Sequence, residues 1–175
     1  TLKNGKECIL RPTTPDYAEE MIDYLKITAV ETPFLLRNLD EITYTVESEK
    51  EILGSLLEDP KSVMMMALVD GEVAGNCSIS AVGSKRRVWH RCGLAIALKK
   101  TYWGLGIGTA MIEYLTELAE KIGFEQIELE VVAGNDTAKG LYEKCGFVET
   151  GKLPRNMKYD DGSYADIYTM CKKAA

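Results

Sequence analysis

The sequence predicts a mixed α/β fold built on one sheet. Three observations predict it: short segments that alternate or run apolar as strands do, helix-period stripes between them, and the order of the two. Strands form a meander first, then a strand-helix-strand unit, then a returning pair. At 175 residues, 46% hydrophobic and 27% charged, the chain has the size and composition of one soluble domain, residues 1–175, with a full-sized core. No repeat, low-complexity segment or Pro/Gly/Ser linker divides it.

The elements are justified in order. Cys8 to Arg11 reads as a first strand stopped by Pro12. Between Pro15 and Ala29, residues Ala18, Met21, Ile22 and Leu25 share one helical face. Ser48 to Leu57 gives a second helix, with Ile52, Leu53, Leu56 and Leu57 on its stripe and Asp59-Pro60 at its end. Val63 to Val69 and Glu72 to Ala81 flank Asp70-Gly71, a two-residue hairpin signal. The run Met64-Met65-Met66 fits a buried strand. Arg87 to Leu98 gives another strand with apolar members toward the sheet interior. Thr109 to Ile122 is a strong amphipathic helix, striped by Met111, Leu115, Leu118 and Ile122 and stopped by Gly123. Gln126 to Val132 sets Ile127, Leu129 and Val131 against Glu128 and Glu130. Thr137 to Lys144 is a short helix. Phe147 to Thr150 and Tyr164 to Cys171 are strands, with a turn at Asp160-Asp161-Gly162, and the last is expected to be an exposed sheet edge.

Composition excludes several function classes. The longest apolar run, Val63 to Val69, falls far short of the roughly 18 residues of a membrane span, and no secretory signal is read. The five cysteines are scattered with no C-x-x-C, as expected of reduced thiols in the cytoplasm. A single histidine rules out a multi-histidine metal site, so no metal is expected. The 27 acidic against 21 basic residues, net −6, argue against a broad nucleic-acid surface and weakly favour a cationic substrate.

The chemistry is concentrated in Tyr102-Trp103-Gly104-Leu105-Gly106-Ile107-Gly108-Thr109. Three glycines at alternate positions stand between a buried strand and a strong helix. Glycine lets backbone approach a ligand and adopt positive φ, and a helix start offers free N–H groups and partial positive charge. A plain tight turn would use the same residues. A P-loop requires a Gly-Lys-Ser/Thr ending, and Gly108-Thr109 has no such lysine. A dinucleotide fingerprint requires G-x-G-x-x-G in a first strand-turn-helix unit; here the spacing is G-x-G-x-G, past the middle of the chain.

Trp103 to Gly108 resembles the acyl-CoA pyrophosphate loop R/Q-x-x-G-x-G/A of the GNAT superfamily of N-acetyltransferases, with Trp103 where Arg or Gln is usual. Asn135-Asp136-Thr137-Ala138-Lys139-Gly140-Leu141-Tyr142-Glu143-Lys144-Cys145-Gly146-Phe147 resembles the family's N-x-x-A-x-x-L-Y-x-x-x-G-F. The two motifs stand in the family's order, separated by a helix and an alternating strand. The likeness is strongest from Gly93 to Thr150, in the style of the ribosomal-protein and polyamine acetyltransferase branches.

The resemblance implies one mixed, mostly antiparallel sheet with helices on both faces and a splayed central strand pair. It implies acetyl transfer from acetyl-CoA to a primary amine of a small molecule or peptide, by direct attack in a ternary complex. Pantetheine would lie on the backbone of Ile96, Ala97 and Leu98. The pyrophosphate would lie at Trp103, Gly104, Leu105, Gly106, Ile107, Gly108 and Thr109. Asn135 would contact the pantetheine arm or a water, and equally suits a helix N-cap. Tyr142 would protonate the departing thiolate, since a phenol stays protonated at neutral pH. An ammonium has no lone pair, so a base must take the amine's proton. Glu31, in a segment where the family places substrate loops, is the candidate; His90, at the far start of its strand, reads as a structural or surface residue. Lys85-Arg86-Arg87 suits either the adenosine 3′-phosphate or simple solvation, and the hairpin at Asp160-Asp161-Gly162 would border the acceptor. Family members often dimerise through a sheet edge, so a homodimer is expected. A family fold that binds acyl-CoA without transferring it is the other reading.

Overall fold

In the computed structural model, which describes residues 1–174, the strands are β1 (Cys8–Pro12), β2 (Ser62–Val69), β3 (Glu72–Ala81), β4 (Arg91–Leu98), β5 (Gln126–Val132), β6 (Val148–Lys158) and β7 (Tyr164–Lys173). The α-helices are α1 (Ala18–Glu31), α2 (Val46–Glu58), α3 (Ile107–Ile122) and α4 (Asp136–Lys144). The strands form one open seven-stranded sheet in the order β1-β2-β3-β4-β5-β7-β6. β4 runs parallel to β5, while the β1-β2, β2-β3, β5-β7 and β6-β7 pairs are antiparallel. The chain groups into two compact units, Thr1–Ser80 with Ala95–Leu115, and Ala81–Leu94 with Thr116–Ala175.

In the first unit, Asp70 and Gly71 both take positive φ, 52° and 85°, the backbone that a two-residue turn needs to match the twist of its strands. α2 begins in a capping box, Thr45 accepting from the Ser48 N–H and Ser48 from that of Thr45. Both α1 and α2 stop one or two residues before a proline, at Thr32-Pro33 and Asp59-Pro60, where the extended backbone required ahead of proline ends a helix. Their apolar faces meet β2 and β3 in a cluster of Ala18, Met21, Tyr24, Leu53, Met66, Leu68 and Val73. Met65 and Met66 are buried, as a core strand requires.

In the second unit, β5 buries Ile127, Leu129 and Val131. α3 ends in a Schellman motif: the Gly123 N–H bonds the Glu120 carbonyl, the Phe124 N–H bonds that of Ala119, and Gly123 takes φ +95°. The β6-β7 hairpin is bulged twice, between Glu149 and Gly151 and between Leu153 and Met157. Within the second bulge Arg155 adopts φ +54°, its N–H held by the Asp166 carboxylate at 2.8 Å.

Some boundaries differ from the sequence reading for local reasons. Pro15–Tyr17 is a 3-10 turn rather than the start of α1. Residues 87–90 turn instead of extending, because the Val88 N–H bonds Lys85 and the Arg91 N–H bonds Val88, so β4 begins at Arg91. The strand from Phe147 continues to Lys158. The last strand is not an edge: β7 lies between β5 and β6, and β6 takes the outer position.

Candidate active site

The glycine segment has the geometry of an anion cradle. After β4, a 3-10 turn at Lys100–Tyr102 leads into it, and the Trp103 indole N–H reaches back 2.9 Å to the Leu98 carbonyl. The usual Arg or Gln position is therefore filled by a side chain that ties the loop to the strand before it. Gly104 and Gly106 have φ +75° and +96°, and a Cβ at either would meet no heavy atom within 4 Å. The space beside both glycines is open. The first intrahelical bond of α3 runs from the Ala110 N–H to Gly106, so the N–H groups of Ile107, Gly108 and Thr109 have no helical acceptor. Buried Ile107 anchors that turn, and the Lys3 N–H pins the Leu105 carbonyl. These outward donors at a helix start suit a pyrophosphate.

Ile96, Ala97 and Leu98 are half-buried at the end of β4. The β4-β5 ladder comprises Arg91–Gly93 with Gln126–Glu128, reinforced by a two-pronged Arg91–Glu128 pair. The Arg91 guanidinium and the Gln126 amide hold the Glu128 carboxyl below its ordinary range. The Ala97 carbonyl accepts the Tyr24 hydroxyl at 2.9 Å and the Leu98 carbonyl accepts Trp103; each oxygen keeps a second lone pair. Glu31, the last residue of α1, accepts the Lys100 N–H on Oε2 at 2.7 Å.

The second unit carries the other motif. Asn135 caps α4, its Oδ1 accepting the Ala138 N–H at 3.3 Å. The Y-x-x-x-G-F part is a second Schellman stop. The Gly146 N–H bonds Glu143, the Phe147 N–H bonds Tyr142, and Gly146 has φ +89°. The rings of Tyr142 and Phe147 meet edge-on at 6.0 Å, the apolar contact that accompanies such a stop. The motif thus fixes the ring of Tyr142, which is 7% exposed. Burial pushes its phenol up to about 12. His90 serves through its carbonyl, which receives the Glu125 and Gln126 N–H groups, and Lys85, Arg86 and Arg87 are exposed.

Tyr24 is the residue that sequence reasoning missed. The signal was a tyrosine one position before Leu25 on a buried helix, since a buried phenol needs a partner. Among the described residues no cluster of three or more His, Cys, Asp or Glu gathers, and no helix is long and apolar enough to cross a membrane.

Known proteins share this fold. A family model described as the acetyltransferase (GNAT) family matches residues 22–147. A Bacillus subtilis (strain 168) relative, provisionally named a [ribosomal protein bS18]-alanine N-acetyltransferase, is 31% identical over 112 residues, 64% of this chain and 70% of its own. The crystal structure of a GNAT-family acetyltransferase from Streptococcus pneumoniae superposes with a TM-score of 0.90 at 30% identity, covering 95% of this chain and 99% of that one. The fold is shared with yncA of Salmonella typhimurium, solved with its cofactor acetyl-CoA, at a TM-score of 0.83 and 14% identity over 96% of this chain and 94% of that one. The chain belongs to the acetyltransferase (GNAT) family and is an acetyl-CoA-dependent N-acetyltransferase.

Proposed function

We propose that the acceptor is the α-amino group of a peptide or amino acid. The observation that carries this is the 31% identity to a relative named for alanine N-acetylation of a ribosomal protein. Physical chemistry agrees. An α-amine titrates near 8 and a lysine amine near 10.4, so near neutral pH the α-amine supplies far more of the neutral nucleophile.

The reaction is direct attack in a ternary complex. Acetyl-CoA lies with its pyrophosphate at Trp103–Thr109 and its pantetheine along Ile96–Leu98, with Asn135 contributing to the arm. The amine nitrogen attacks the thioester carbonyl, the C–N bond forms and the C–S bond breaks. The amine's proton passes to Glu31. The Tyr142 hydroxyl donates a hydrogen bond to the departing sulfur, and the thiolate takes its proton from solvent, to which Glu31 releases the one it gained. The family match runs through both compact units, which supports one functional domain over residues 1–175. Five free thiols support a cytoplasmic setting. Val148 and Leu153, 63% and 51% exposed on the outer strand β6, support a homodimer through that strand.

The test offers acetyl-CoA with three acceptors: a peptide beginning with alanine, free L-amino acids, and a polyamine. Mass spectrometry should find α-N-acetylation of the peptide or the amino acids. Preferential polyamine acetylation would overturn the α-amine reading. Binding of acetyl-CoA with no turnover on any amine would mark a non-catalytic module.

A further inference from the structure

Tyr24 occupies a place where a sheet hydrogen bond belongs. The Lys99 N–H bonds the Ala74 carbonyl at 2.9 Å, and a Cβ on Gly75 would strike the Leu98 side chain at 2.1 Å and the Ala97 carbonyl at 2.8 Å. The opposed positions are therefore 74 with 99, 75 with 98 and 76 with 97, an antiparallel register. Bonded pairs recur every second residue in such a ladder, so the Asn76 N–H is due to meet the Ala97 carbonyl. The phenol stands between them instead: its hydroxyl donates to Ala97 at 2.9 Å and its oxygen receives a backbone hydrogen bond from Asn76. Tyr24 is 2% exposed and held by Ala18, Met21, Leu53, Met66, Leu68 and Val73, so the wedge cannot swing away. Nearby, the buried side-chain amide nitrogen of Asn76 has no partner, a donor that folding leaves unused.

Seven residues along the same helix, Glu31 holds the Lys100 N–H. Seven residues make close to two turns, so both side chains leave α1 on one face. Between the two anchored positions, Ala97 and Lys100, lies the strand end that leads into the glycine loop.

We propose that α1 is a clamp that presets the acyl-CoA-binding backbone, with Tyr24 as a positioning residue that parts β3 from β4 and Glu31 as its second jaw. The inference rests on the reading that residues 96–109 receive acyl-CoA. The clamp sets affinity for the CoA portion and leaves acceptor binding alone. Its two jaws differ in kind: Tyr24 sets the path of β4, and Glu31 sets the turn after it.

Tyr24→Phe removes one oxygen and lets Asn76 bond Ala97 directly, so the ladder closes without leaving an orphaned group. CoA binding by calorimetry, with no acceptor present, should weaken roughly 3- to 10-fold, the range of one net hydrogen bond. The KM for acetyl-CoA should rise with it, while the acceptor KM and kcat at saturating acetyl-CoA stay within about twofold, a split that a general loss of stability would not produce. Glu31→Gln keeps an acceptor oxygen for Lys100 and should bind CoA like wild type; Glu31→Ala should bind it more weakly. The Glu31 pair separates clamp from base, because loss of a base leaves binding without acceptor untouched. Unchanged CoA affinity in Tyr24→Phe overturns the proposal. If that variant does not fold, equal CoA affinity of the Gln and Ala variants at position 31 overturns it. Gly106→Val is the control for the site itself: φ +96° excludes valine, and undiminished CoA binding there would remove the acyl-CoA reading on which the clamp depends.

Discussion

Tyr142 carries two opposing consequences of burial. With its phenol pushed up to about 12, it stays protonated through the whole working pH range and is always ready to donate. The same shift makes it a weaker acid than a thiol of ordinary pKa near 8.5, so complete proton transfer to the sulfur is uphill by roughly 5 kcal/mol. In the proposed role, its contribution is then mainly a hydrogen bond that strengthens as charge develops on sulfur. General acids typically contribute about 10²- to 10⁴-fold, and this mismatch places Tyr142→Phe at the lower end, a kcat loss of about 10²-fold. Rapid-mix kinetics isolating the acetyl-transfer step should show it, with CoA affinity and melting temperature near wild type. A full-speed variant would make water the donor; an unfolded one would make Tyr142 a core residue. In the wild type the pH profile should show no basic limb from Tyr142, because a group at about 12 does not titrate below pH 10.

At the scale of elements, what was legible in the sequence is what neighbouring residues decide. Asp70-Gly71 announced its turn because two consecutive positive φ values demand those residue types. Gly123 announced a helix end because it closes a Schellman motif within six residues. Long-range partners were not legible. Nothing around Tyr164 to Cys171 says that β7 slots between β5 and β6, a pairing set by a contest among strands up to 47 residues apart in register, as in Gln126 with Lys173. Tyr24 finds its acceptor 73 residues away, beyond any local pattern. The candidate site divides along the same line: both proposed ligand motifs were visible as local backbone devices, whereas the hydrogen bonds of Tyr24 and Glu31 to Ala97 and Lys100 were not. The capping box of α2 offers a local test. Thr45→Ala removes the oxygen that accepts the Ser48 N–H at 3.1 Å, and should cost about 1 kcal/mol in urea unfolding, with acetyl-CoA KM unchanged. No loss of stability would show that water replaces the cap.

For the whole molecule, four buried acids of the neutral type set a limit on the alkaline side. Burial pushes the thiols of Cys77 and Cys92 up to about 12, as it does Tyr142, and raises Tyr24 as well. Each is neutral when folded and ionises more readily once unfolded, so the unfolded chain binds fewer protons at high pH and stability falls as pH rises. The sign is fixed by the raised folded values. The contribution is complete below the unfolded thiol value near 9, declines first through the cysteines and then through the tyrosines above about 10, and for Cys77, Cys92 and Tyr142 is lost as pH passes about 12. For a thiol shifted from about 9 to about 12, the loss at pH 10.5 is on the order of 2 kcal/mol. That is a large fraction of the roughly 5–15 kcal/mol that holds a domain folded. Urea unfolding between pH 7 and 10.5 should therefore show midpoints level to about pH 9 and falling beyond it. Cys77→Ala starts lower, because it leaves a cavity in β3, but it should flatten the fall by one thiol's share. A midpoint in the wild type that holds steady to pH 10.5 would mean that these thiols ionise inside the folded protein, and that the sheet interior admits solvent where the packing of Cys77 and Cys92 says it does not.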